Sequence, residues 1–310
     1  MRRFLALARS ATLQALAEPL SAVLLLVALL IVHVAPVLHF HEFGEPGRLA
    51  RDCGFSALLM FGLVFATASA VRAIGGEIES GTAAAALSRP VPRPLFFCAK
   101  VFGVMLAFGL FFLAVSSASI LATHSAAVGA HEEMMGGTSR IWMPGLSGGV
   151  CATLGAFILA GLLNRFANCR FCVSAYLLML VVQPLALLAV APCGHDGIKA
   201  TLLEMPWQIF PAMLALACGC CVFIALAGAL AVCLKPAPVA ALVTAGVFSS
   251  FVWPVRAILP DITRFWLVDA LADGGVVPAE EIGTALLTAF FLTGFWLVAG
   301  AALMQRRELP

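Results

Sequence analysis

The chain has 310 residues, 62% hydrophobic and only 11% charged, with a formal net charge of +2. Soluble domains carry about a quarter charged residues, so this composition excludes an ordinary soluble globular fold. The small net charge by itself says nothing about nucleic acid, and no nucleic-acid partner is expected. Crossing hydrocarbon takes about 20 apolar residues, and the chain repeats such stretches, so the expected fold class is an all-α, polytopic transmembrane helical bundle.

Residues 1–18 begin with Arg2 and Arg3, and Arg9, Ser10, Thr12 and Gln14 then interrupt the apolar run that a secretory signal needs. They predict a short helix on the cytoplasmic surface, although its apolar residues do not fall cleanly on one face. Eight apolar segments follow, at 19–38, 53–74, 95–122, 144–165, 172–192, 207–234, 237–259 and 282–304. Those at 95–122 and 207–234 are long enough to tilt or to project beyond the bilayer.

With the N-terminus cytoplasmic, twelve basic residues lie inside (Arg2, Arg3, Arg9, Arg72, Arg89, Arg93, Lys100, Arg165, Arg170, Lys235, Arg306, Arg307) and six outside (Arg48, Arg51, Arg140, Lys199, Arg256, Arg264). That is the positive-inside bias, and an even number of spans returns the C-terminus to the cytoplasm. The outer loops are then 39–52, 123–143, 193–206 and 260–281. In the last, 262–275 predicts a short interfacial helix, with Phe265 and Trp266 at headgroup level.

The segment GGEIESGTAAAALSRPVPRP, residues 75–94, is a polar island facing the cytoplasm. Thr82–Leu87 contains strong helix formers, Ser80 or Thr82 is a candidate cap, and Glu77 and Glu79 suit the positive end of the dipole. Pro90, Pro92 and Pro94 end that helix and extend the chain before the next span. It reads either as a lever for a docking partner or as a solvated loop capped for stability. A phosphate loop is excluded, because Thr82 stands where lysine is needed and no strand precedes it.

The predicted interior is nearly free of ionisable groups. His33 and Gln183 are its most polar residues, and Arg72, Lys100 and Arg256 lie near span ends. An ion-coupled relay has almost nothing to work with, so energy for any transport must arrive from outside the membrane. Most of the ten cysteines fall within apolar runs, and Cys169 and Cys172 form a lone CxxC, so neither a disulfide framework nor a zinc site is expected. Candidate metal ligands are His39, His41 and His131, beside Glu42, Glu132, Glu133, Met134 and Met135; the alternative is histidine in an acidic, solvated outer loop. Ser147, among glycines, paired with His33 would suit an intramembrane hydrolase, whereas small residues in spans otherwise permit close packing.

E-x-E-S-G-T, then L-S-R-P-V-P-R and a lysine seven residues beyond, resembles the cytoplasmic signature of ATP-binding-cassette type-2 permeases, nearest those labelled multi-copper enzyme maturation permeases. Glu77, Glu79, Gly81, Thr82, Leu87, Arg89, Pro90, Arg93 and Lys100 occupy the matching positions. A second likeness comprises Leu259-Pro260-Asp261, Phe265, Asp269-Ala270-Leu271 and the closing Gln305-Arg306-Arg307-Glu308-Leu309. The resemblance implies one permease domain over 1–310, in a bacterial cytoplasmic membrane, with 1–18 as a surface elbow helix and 75–94 as the coupling segment. It implies a homo- or heterodimer of permeases with two ABC ATPase partner subunits that bind ATP and Mg, so that the chain is not itself an enzyme. Permeases of this family commonly have six spans, which makes six spans plus two re-entrant segments the alternative to eight. A structural or sensory membrane subunit without transport is the alternative function.

Overall fold

The computed structural model describes residues 1–37, 47–83, 91–134, 143–190, 205–249 and 261–307. Helix α1 spans Arg2–Ala17. Glu18 is extended (φ −68, ψ 128), and Pro19, whose missing N–H costs nothing at a helix start, opens α2 (Pro19–Val34). Helix α3, Arg48–Val71, continues through a π turn, Arg72–Gly76, into a last helical turn, Glu77–Glu79. Then come α4 (Arg93–Met134), α5 (Met143–Ala167), α6 (Phe171–Val190), α7 (Ile209–Ala231), α8 (Pro236–Ser249) and α9 (Ala279–Arg306).

Seven of these, α2 to α7 and α9, are long and apolar enough to cross a membrane. The chain is therefore a polytopic α-helical membrane protein, with no strand among the described residues. The predicted segment 237–259 is helical over α8, whose 14 residues rise only about 21 Å, and 250–260 lies outside the described residues. Among the described residues seven helices are thus long enough to cross, and the eighth predicted segment is described only over its first part.

Helix α4 is the axis of the bundle. Its 42 residues rise about 63 Å, so the predicted span 95–122 continues as helix well past the bilayer thickness. Every other crossing helix packs on it. Much of the core lies between α3, α4 and α7, and in it Phe65 stacks on Phe111 at 5.7 Å and Phe108 on Phe111 at 6.1 Å. Helix α9 lies against α7, and α5 pairs with α6. Lipid tails are as apolar as leucine, so close packing and interhelical hydrogen bonds hold such contacts.

The N-terminal helix lies along α4 rather than apart from it. Thr12 Oγ1 donates to Gly103 O at 2.9 Å, and the Phe4 and Phe102 rings are 5.6 Å apart. Its buried residues are Ala8, Ala11, Ala15 and Leu16, three of them small. That stripe of small side chains explains why the large apolar residues, including exposed Leu5 and Leu13, show no clean face in the sequence.

The predicted interfacial helix at 262–275 is instead two 3-10 turns, Ile262–Phe265 and Val268–Gly274. Asp261 Oδ1 accepts from Thr263 N at 3.0 Å and from its hydroxyl at 2.6 Å, which closes the first turn. Phe265 is not a headgroup anchor. It is fully buried, its ring seated on α7 where Gly219 leaves room. Arg51, expected in an outer loop, is buried within α3, and its Nη1 donates to Leu271 O at 2.7 Å, tying the segment to the bundle.

Candidate functional site

The end of α3 and the start of α4 gather most of the residues singled out in the polar island. Gly81 has φ +71, a left-handed conformation that suits glycine, and its N–H bonds Ile78 O at 3.2 Å. This is a helix-ending turn, and it gives Gly81 a backbone reason to be glycine. The Ser80 and Thr82 hydroxyls donate back to Glu77 O at 3.4 and 3.3 Å and lie 2.9 Å from each other. They therefore close α3; Thr82 and Ala83 are again helical, and the rest of the predicted helix at 82–87 lies outside the described residues. Ile78 and Ala83 are buried in the main core, which leaves Glu79, Ser80 and Thr82 as the exposed edge of the turn.

Glu77 points inward. Its Oε1 lies 2.5 Å from Nζ of Lys100 on α4, whose side chain is only 4% exposed. The ammonium also stands 5.7 Å from the centroid of the Phe96 ring. A lysine buried this deeply needs a carboxylate, because an unpaired charge in such surroundings is costly. Arg72, in the π turn, pairs with Glu18 at the bend between α1 and α2. Arg93, in the first turn of α4, donates through Nη1 to Gln305 O at 3.2 Å and Arg307 O at 2.9 Å. A guanidinium there neutralises the negative end of the α9 dipole.

The turn at 77–82 is thus tied to α4 through Lys100, the π turn just before it is tied to the α1–α2 bend, and the start of α4 is tied to the end of α9. Of the sequence candidates, Glu77, Glu79, Gly81, Thr82, Arg93 and Lys100 belong to this end of the bundle, whereas Leu87, Arg89 and Pro90 lie outside the described residues. Sequence reasoning missed Glu18 and the α9 carbonyls. The available signal was opposite charge at the ends of successive spans on one side, but backbone acceptors leave no trace in a sequence.

A second polar cluster lies inside the bundle. His33 Nε2 on α2 is 3.3 Å from Gln183 Oε1 on α6, and Gln183 Nε2 donates to Thr153 Oγ1 on α5 at 2.8 Å. All three are buried, and the His33 ring lies against Gly149, where a larger residue would collide with it. Tyr176 OH donates to Ser21 O at 2.9 Å, a further bond between α6 and α2. The proposed partner of His33, Ser147, is exposed and donates weakly to Pro144 O at 3.4 Å. Of the metal candidates, His131 is exposed near the end of α4, and His39 and His41 lie outside the described residues. Among the described residues, no three His, Cys, Asp or Glu side chains gather as a metal site.

No family model matches the chain, and neither the curated proteins nor the solved structures contain a significant match to it.

Proposed function

We propose that the chain is the membrane-spanning permease subunit of an ATP-binding-cassette type-2 exporter, worked by separate ATPase subunits that bind ATP and Mg. The observation that carries this reading is the pairing of partly exposed Glu77 with buried Lys100, beneath the exposed Glu79, Ser80 and Thr82. A force applied to that exposed edge passes through this ion pair into α4, which packs against every other crossing helix. In this reading the turn faces the cytoplasm of a plasma membrane. Closure of two ATPases on a permease dimer then shifts the spans between inward- and outward-facing states. The apolar interior agrees with a motor held elsewhere.

The test is crosslinking from Ser80→Cys in a background without native cysteines. An ATPase subunit is expected as the captured partner. Glu79→Lys and Arg93→Glu are expected to uncouple ATP hydrolysis from transport in chains that still insert. Labelling of Ser80→Cys by an impermeant reagent added outside intact cells overturns the assignment.

A further inference from the structure

Helices α6 and α7 both pack on α4, and between them runs an apolar groove of about 360 Å³. Its floor is one stripe of α4, Leu113, Ala114, Ser117 and Ile120, where the small Ala114 and Ser117 deepen the trough between two larger residues. One wall is α6, from Leu180 to Leu188 and including Pro184; the other is Phe210, held to α4 by a 5.5 Å contact between the Phe112 and Phe210 rings. Trp207 stands at one end, 47% exposed, just before the start of α7.

Three features determine what fits. The groove lies along crossing helices, so hydrocarbon is its surrounding medium. Its only hydroxyl, Ser117 Oγ, donates to Ala114 O at 2.9 Å. Apart from the Trp207 indole, its side chains offer no further donor, so a polar guest or ordered water would lack partners. Its volume falls in the range of about 300–1,000 Å³ typical of small-molecule sites. Tryptophan at the end of a span marks the headgroup level.

We infer that this groove holds one acyl chain of a membrane phospholipid, from the leaflet on the Trp207 side, with the ester end of the lipid beside Trp207. The site stands independently of the proposed transport role. It also differs from ordinary lipid contact. On α9 the exposed residues Phe290, Phe291, Phe295 and Val298 meet lipid on an open face, whereas the groove encloses a chain on three sides.

That contrast supplies the internal control. The purified full-length chain is exchanged into phosphatidylcholine bearing a diazirine in one acyl chain, partly delipidated with detergent, irradiated and mapped by peptide mass spectrometry. Labelling across 113–120 and 180–188 is expected to exceed labelling across 287–298 several-fold. Ser117→Phe fills the floor and is expected to reduce the groove signal to the level of α9, while Ser117→Ala keeps it. Equal labelling of groove and α9 in the unmodified protein overturns the inference, and this arm needs no variant to fold. So does an unchanged groove signal in folded Ser117→Phe, or a groove that crosslinks to a second copy of the chain in place of lipid.

Discussion

The two polar clusters of this bundle do the same job with different chemistry. At the Arg93 end, ion pairs join α3 to α4 and to the α1–α2 bend, and an arginine joins α4 to α9. Deep among α2, α5 and α6, the links are an imidazole, an amide and a hydroxyl, with no opposite charge in the cluster. Charge placed at the end of a span can reach water when the contact opens, whereas a hydrocarbon interior offers no such exit. The charged cluster therefore ties helix ends together beside water, and the hydrogen-bonded one ties helices together where water does not reach.

The largest expected effect comes from removing one member of the most buried pair. Lys100→Met strands the Glu77 carboxylate and is expected to cost about 3 kcal/mol, near the lower end for breaking a buried ion pair. The shift is read as thermal unfolding in detergent. Adding Glu77→Gln is expected to recover most of the loss. If the double variant is as unstable as the single one, packing of the lysine stem matters more than charge, and the contrast between the clusters fails at its stronger end.

Helix burial sharpens the same comparison. The most apolar stretch of α7 is 72% buried, whereas that of α9 is only 11% buried. Helix α9 packs along α7, and two contacts tie it to α4: the Arg93 bonds at its end and a close approach of Gly300 to the Phe97 ring. Gly300→Leu forces that contact apart and is expected to cost about 1–3 kcal/mol, the range for overpacking. The same change at Gly294, where an added Cβ meets nothing within 4 Å, is expected to be close to neutral. Limited proteolysis before Ala279 separates local release of α9 from global unfolding.

In the interior cluster, Gln183→Leu removes two bonds at once. Interhelical hydrogen bonds in membranes average about 0.6 kcal/mol, so a loss of about 1 kcal/mol is expected, below that of Lys100→Met. A double-mutant cycle with Thr153→Val isolates the shared term. A loss as large as that of Lys100→Met would show that the interior cluster is the true clamp.

Hydropathy made the bundle legible, because span length is dictated by bilayer thickness and survives any detail of packing. It also placed Lys100 and Glu77 near one membrane face, but not in contact. Their meeting depends on α3 running on through the π turn to Glu79, past the predicted end at 74. His33 and Gln183 stood out as the most polar interior residues, yet 150 positions separate them in the chain, and no local pattern joins them. Phe265 was misread for a related reason. An aromatic beside Trp266 suits an interface, and only the notch at Gly219 on another helix shows why it turns inward. The alanine face of α1 was hidden because small residues pack well without raising hydropathy.

The smallest effect is expected at the exposed member of the charged cluster. Glu18 pairs with Arg72, but the Arg72 side chain is 55% exposed, so water and salt compete for it. Glu18→Gln is therefore expected to change stability by about 0.5 kcal/mol or less, and the difference is expected to vanish at high salt. That weakness makes the bend the looser of the two attachments. The bend between α1 and α2 can release the π turn at little cost, while Lys100 keeps Glu77 engaged. If Glu18→Gln instead destabilises the protein as much as Lys100→Met, and does so regardless of salt, the two pairs form a single rigid plate. The 77–82 turn then could not move with α4 while the α1–α2 bend stayed behind.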